Sequence, residues 1–251
     1  MIFAYAWTRA EADHAADETA QHLAAVEGTF DARLLPADAA VAQALALPAG
    51  PVVIADAQDN PGAGGTGETA GLLRALIAAK VPDAVLSMLH DPQSAAAAHA
   101  AGEGAEITVQ LGGRFRHYSD PLEVVVMVEA LSDGRFQFTG PMFGGSKADM
   151  GPVARLRVKG TGVTVVVGSQ RAQNADQEMF RVVGIEPKDH AIVCVKSAVH
   201  FMADYRQIAA EILFADISGA NPCHLETIPY TRLQVPLRLG PGGPLRPAPT
   251  G

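Results

Sequence analysis

The sequence predicts an α/β fold: a layered, mostly parallel sheet with helices on its faces, plus a β-rich antiparallel insertion. Three observations carry this. Val52-Val53-Ile54, Ala84 to Leu89 and Ala191 to Val195 are apolar runs, interrupted only by Ser87, of the kind buried on both faces of a sheet. Helical spacing appears between them, as in Thr69, Leu72, Leu73, Leu76 and Ile77. Residues 112–171 then change to strand runs joined by glycine turns.

In chain order, Ile2 to Trp7 reads as a strand, and Thr8 can cap a helix over Ala10 to Glu27 that stops at Gly28. Phe30 to Leu35 follows as a strand and Asp38 to Leu47 as a helix. Pro51 to Lys80 is a strand, a glycine-rich loop and a helix. Ala84 to Leu89 is a strand stopped by His90-Asp91-Pro92, where Asp91 suits an N-cap and Pro92 the first helical position. Gln93 to Ala101 is a helix ended by Gly102, and Ile107 to Leu111 a strand. Ser132-Asp133-Gly134 and Gly160-Thr161-Gly162 predict two hairpin turns, the first between Glu123–Ala130 and Arg135–Thr139, the second between Val153–Lys159 and Val163–Val167. Ala191 to Val195 restores the buried strand pattern, with a helix expected over Ala203 to Leu213 and a last strand over Phe214 to Ile217.

The expected organisation is therefore an α/β region over 1–111 with the glycine-rich loop, a β-rich insertion of the same domain over 112–171, and completion of the α/β region over 172–235. Residues 236–251, rich in Gly and Pro, are expected to be a disordered tail.

Composition narrows the function. The 251 residues hold 19 basic and 27 acidic side chains, a net charge of −8, with no basic run, so nucleic acid is not an expected partner. No apolar run approaches the length of a membrane span, and the N-terminus lacks a signal-peptide pattern. Cys194 and Cys223 make no disulfide framework and fit a reducing cytoplasm.

Two stretches could carry chemistry. The first is the loop Asp59-Asn60-Pro61-Gly62-Ala63-Gly64-Gly65-Thr66-Gly67, at the carboxyl end of a buried strand, where open α/β sheets hold ligands. Its backbone N–H groups, between strand end and helix start, are expected to face a polar or anionic ligand. Gly62, Gly64 and Gly67 also match the dinucleotide fingerprint, with Asp91 at the end of the next strand. Against that reading, Ala55 to Pro61 separates the strand from the first glycine, and Asp91 is placed to cap a helix. No lysine follows the glycines as in a P-loop. The second stretch is Lys196-Ser197 with His200, where a cation, a hydroxyl and an imidazole follow another strand. Lys196 could neutralise an anion; the bland alternative is a lysine at a strand end. No metal-ligand motif is found: the eight histidines are scattered, and Cys223-His224 with Glu226 reads as an exposed loop.

Val52 to Gly62, His90-Asp91-Pro92 with Ala97 to Gly102, Leu111-Gly112-Gly113 and Val195 to Phe201 together resemble the C-terminal domain of the microcystinase C (MlrC)-like zinc metallopeptidases. The resemblance runs from near the N-terminus to about Gly219. It implies a part in peptide hydrolysis with zinc as cofactor, the metal ligands lying in a larger N-terminal domain that would be carried by a separate chain. It implies substrate contacts from Asp59, Asn60, Gly62, Gly64, Gly65, Thr66, Lys196, Ser197 and His200. The substrate would be a peptide or an anionic small molecule, and a face awaiting the other domain favours self-association. The chain departs from the family at Ala63, where a glycine is usual, and at Met202 and Tyr205, where an arginine and a phenylalanine are expected. A non-catalytic binding module and a dinucleotide-dependent enzyme are the alternatives.

Overall fold

The computed structural model describes residues 2–30, 33–233, 236–241, 243 and the backbone of 245–246. The chain divides into two compact units, Leu34–Pro222 and the two terminal segments Met1–Arg33 with Cys223–Gly251.

The larger unit is built on a nine-stranded sheet. It begins with β1 (Leu34–Pro36), α2 (Ala37–Ala46), β2 (Val52–Ala55), α3 (Gly71–Ala78), β3 (Ala84–His90), α4 (Pro92–Ala101) and β4 (Glu106–Leu111), with α1 (Arg9–Ala25) in the other unit. There follow β5 (Leu122–Ser132), β6 (Arg135–Gln137), β7 (Lys147–Asp149), β8 (Val153–Val158) and β9 (Val163–Gly168). The unit ends with α5 (Glu178–Arg181), β10 (Ile192–Val195), α6 (Met202–Tyr205) and β11 (Glu211–Asp216). The strand order is β1-β11-β2-β10-β3-β9-β8-β5-β4. The neighbours from β1 to β9 are parallel and those from β9 to β4 antiparallel. The fold is α/β with a mostly parallel sheet, as its buried strands predict.

Strand periodicity divides the core. On β2, Val52 and Ile54 join Leu72, Leu73 and Leu76 of α3 on one face, whereas Val53 and Ala55 join Phe180, Phe201 and Tyr205 on the other. Each of the three fully covered leucines of α3 contributes ~1.5–3 kcal/mol by leaving water.

Several expectations change. The second hairpin holds, with β8 pairing β9 across Gly160-Thr161-Gly162. The first does not form: β5 pairs β8, and β6 turns away to pair β7 in a separate two-stranded sheet. So β5, β8 and β9 of the 112–171 segment extend the main sheet, and only β6 and β7 stand apart. The helix expected over Ala203 to Leu213 ends at Tyr205, because Glu211 onward is drawn into β11 between β1 and β2.

In the terminal unit, Ile2 to Trp7 forms no strand, and Phe3, Tyr5 and Trp7 are exposed. Thr8 does cap α1, through a reciprocal box with Glu11, and no residue of that helix is buried. Of the strand expected over Phe30 to Leu35, residues 31 and 32 lie outside the described residues, and β1 starts at Leu34. Within the tail expected to be disordered, β12 (Leu237–Arg238) pairs β13 (Leu245–Arg246); residues 242, 244 and 247–251 lie outside the described ones. Among the described residues no helix is long and apolar enough to cross a membrane.

Candidate functional site

The site follows from strand register. β2 and β10 run parallel with Ala55 opposite Val195, so the next residues, Asp56 and Lys196, emerge side by side at the carboxyl edge. Asp56 N–H donates to Val195 O at 2.9 Å, which holds the two strand ends together. The glycine loop leaves β2 there and Ser197 leaves β10, so the two stretches singled out in the sequence meet.

At the centre lies a buried ion cluster. Lys196 Nζ donates to Asp56 Oδ2 at 2.7 Å, Asp59 Oδ2 at 2.9 Å and Thr69 Oγ1 at 2.9 Å. An ammonium has three protons, so this lysine is fully used inside the protein. Asp59 gathers the loop around it. Its Oδ1 accepts from Thr66 Oγ1 and Gly67 N–H, and its Oδ2 from Thr69 N–H, all at 2.8 Å. Burial alone would raise the Asp59 carboxyl, but the Lys196 charge and the Thr69 and Gly67 amides overcome it and hold it at about 2. Asp56 has fewer donors; burial, with the Asp59 charge beside it, raises its carboxyl above the usual range despite Lys196. Lys196 is raised: burial acts to lower it, and the two carboxylates prevail.

This arrangement changes the reading of the loop. The N–H groups of Gly67 and Thr69, expected to face a ligand, are satisfied by the chain's own Asp59. A pyrophosphate would have to displace that carboxylate, and α3 starts only at Gly71. The fingerprint glycines serve the turn instead.

The loop tip lies outside the cluster. Pro61 to Ala63 form one 3₁₀ turn, opened by Asn60 Oδ1 accepting from Gly62 N–H at 2.9 Å and closed by Gly64 at φ 93°. Gly65 N–H returns to Asn60 O at 2.8 Å, and a Cβ at Gly65 would sit 2.6 Å from the Asn60 nitrogen. Gly62 is exposed, and its Cα is overlaid by the Gln173 amide. Gln173 Nε2 in turn lies 3.3 Å from Nδ1 of the exposed His200. The structure thus places Asp59, Thr66 and Lys196 in the cluster and links Gly62 to His200 through Gln173. Asn60, Gly64 and Gly65 shape the turn, and Ser197 is buried beside Lys196.

Several neighbours were not evident beforehand. Asp56 and Thr69 complete the cluster. Glu68, also buried, accepts from Phe115 N–H at 2.6 Å. Asp91 caps α4 through Ser94, as expected, and also accepts from Gly112 N–H and pairs with Arg114. His90 stands beside Gly67; burial and then Arg114 push its imidazole down, with Glu68 opposing. Asn174 accepts from Tyr205 Oη at 2.7 Å, and its N–H donates to Lys196 O at 3.2 Å. Zinc, implied by the family resemblance, does not fit here: among the described residues no three His, Cys, Asp or Glu side chains converge, and the Asp56–Asp59 pair already holds an ammonium.

Comparison with known proteins identifies the family of the larger part of this chain. The family model for the MlrC C-terminus matches residues 54–232. Microcystinase C from a Sphingomonas species is 27% identical over 190 residues, covering 75% of this chain and 36% of that protein. A crystal structure from Mesorhizobium sp. BNC1, named "Putative metallopeptidase", superposes with a TM-score of 0.77 at 26% identity, over 88% of this chain and 44% of the other. The chain spans less than half the length of either relative. The matched residues run from the end of β2 through the glycine loop and Lys196, and on that match the chain belongs to the MlrC C-terminus family.

Proposed function

We infer that this chain supplies the substrate-binding part of a metal-dependent peptide (amide) hydrolase, acting with a metal-bearing domain on a separate polypeptide. The observation that carries the reading is the pairing of two loops at one sheet edge, with the glycine turn and His200 presented outward and a buried ion cluster fixing both. Asn60, Gly62, Gly64, Gly65 and Thr66 form the rigid turn, His200 faces the substrate across it, and Ser197 is enclosed beside Lys196. Asp59 and Lys196 act through the loop they hold and do not themselves bind substrate.

The metal would supply an activated water for attack on an amide carbonyl. This chain would bind and orient the peptide so that its carbonyl meets that water. The family membership and the metallopeptidase name of the structural relative support this class of reaction.

The test mixes the purified chain and zinc with the remaining portion of the Mesorhizobium relative, made as a separate polypeptide, and follows cleavage of a linear peptide by mass spectrometry. Cleavage that needs both polypeptides, and that falls on His200→Ala, is the expected result. Absence of both cleavage and association would overturn the reading.

A second reading is a module that binds an anionic small molecule. It is favoured by the exposed Arg171, which lies against Gly67 and has no carboxylate partner among the described residues. Thermal stabilisation by small carboxylates, lost in Arg171→Gln, would support it.

A further inference from the structure

We propose that Gln173, Asn174 and Ser197 form a subsite that reads one backbone amide of an extended peptide. The inference deepens the substrate-binding reading given above and rests on it.

Three buried polar atoms in this region have no hydrogen-bond partner: Gln173 Oε1, Asn174 Nδ2 and Ser197 Oγ. The side chains that carry them are almost wholly enclosed, with residue exposures of 9%, 0% and 0%. Buried polar groups are normally paired, so three orphans on two adjoining segments need a reason. The loop after β9 carries Gln173 and Asn174 past the carboxyl end of β10, from which Ser197 leaves. Asn174 N–H donates to the carbonyl of Lys196, the residue before Ser197. Gln173, next along the chain, lies over Gly62.

Their chemistry is complementary to an amide. Asn174 Nδ2 offers a donor, Gln173 Oε1 an acceptor, and the Ser197 hydroxyl can play either role. A peptide unit presents one acceptor and one donor in a fixed plane. A carboxylate or phosphate has no N–H for Gln173, and an apolar group satisfies none of the three. Asn174 is fixed for this task, since its Oδ1 is held by Tyr205 Oη at 2.7 Å, leaving the NH₂ as the free end.

Access is through a weakly held cover. Gln173 Nε2 is retained only by the 3.3 Å contact to His200 and a 3.5 Å contact to the Met142 sulfur. Both of those side chains are exposed. A swing of the Gln173 side chain off Gly62 opens the turn without disturbing the Lys196 and Asp59 bonds, and its freed Oε1 accepts from the N–H of the peptide that enters. His200, at the rim, then stands beside the bound peptide.

The experiment uses the intact chain and NMR of its side-chain amides. The probes are an N-acetylated, C-terminally amidated tripeptide and its ester analogue, in which one backbone N–H is replaced by oxygen. The amide probe is expected to shift the Asn174 and Gln173 NH₂ signals and to bind at least tenfold more tightly than the ester. Asn174→Asp, which keeps the acceptor for Tyr205 and removes the donor, and Ser197→Ala are each expected to erase most of that difference. Equal affinity for amide and ester, or NH₂ signals unmoved by the amide probe, would overturn the proposal, as would saturation of these atoms by buried water alone. Because no cleavage is measured, the two readings fail separately. Probe binding with neither hydrolysis nor association in the two-polypeptide assay keeps the subsite and removes the hydrolase. Hydrolysis with no response at Gln173 and Asn174 removes only the subsite.

Discussion

Lys196 Nζ lies 2.9 Å from Asp59 Oδ2, and both side chains are enclosed by protein. The bond joins the residue after one strand to the loop after its parallel neighbour, 137 positions away in sequence. It makes the shape of the glycine loop depend on β10, and so ties the two halves of the candidate site together.

Removing the lysine should therefore unfold more than it unbinds. Lys196→Met leaves Asp56 and Asp59 buried without their cation, and the expected loss is about 3–5 kcal/mol in urea denaturation. Adding Asp56→Asn and Asp59→Asn should restore a large part of it. If Lys196→Met is as stable as the parent but binds no peptide, the lysine contacts substrate directly.

Asp59 also sets an acid limit. Its carboxyl is held at about 2 in the folded chain, below the ordinary value of 3.8. The stabilisation is complete above the unfolded value and is lost as pH falls through the folded one, between about pH 5 and about pH 2. Asp59→Asn removes that component. Denaturation midpoints of parent and variant should differ most near neutrality and converge toward pH 2. A difference that stays constant over this range would show that Asp59 does not titrate as described.

The two loop glycines should behave differently on replacement by alanine. At Gly65 a Cβ meets the backbone of Asp59 and Asn60 at 2.6 Å, and backbone cannot step aside. Gly65→Ala is expected to cost about 1–3 kcal/mol. At Gly62 the obstacle is the Gln173 side-chain oxygen, which can rotate. Gly62→Ala should leave the melting temperature nearly unchanged while breaking the Gln173–His200 contact, visible as a change in the NMR chemical shifts of the His200 ring.

The legibility of the site follows from the range of its interactions. The strand-loop-helix unit around the glycines was readable because its signals are local: Val52 to Ile54 are buried, and Leu72, Leu73 and Leu76 share one face. The partnership of Lys196 with Asp59 was not, since it depends on β2 and β10 lying next to each other. Sequence favoured a helix through Ile208 and Ile212, but pairing with β1 and β2 claims Glu211 to Asp216 for the sheet. Ile2 to Trp7 reads as an apolar strand but has no ladder in the structure. Asn174 and Gln173 carried no motif at all; only their burial marks them.

The two cysteines, one in each unit, give a check on burial. Cys194 is enclosed in β10, and burial, reinforced by Asp56, pushes its thiol well above the usual range. It should resist alkylation in the native chain, whereas the exposed Cys223 should react. One modified site per folded chain by mass spectrometry, rising to two in denaturant, is expected. Rapid modification of Cys194 without denaturant would mean that the sheet edge opens readily.

The Asp59 carboxylate sits where a bound anion would otherwise organise the amides of Gly67 and Thr69. The loop therefore carries an internal surrogate for its guest and is folded before any guest arrives. On the substrate-binding reading, a peptide meeting it would find no slack to remove, so association should be limited by encounter and by the turning of one glutamine, with little ordering entropy to oppose it. On that reading, recognition at this edge would be closer to a fixed template than to a loop that closes on what it holds.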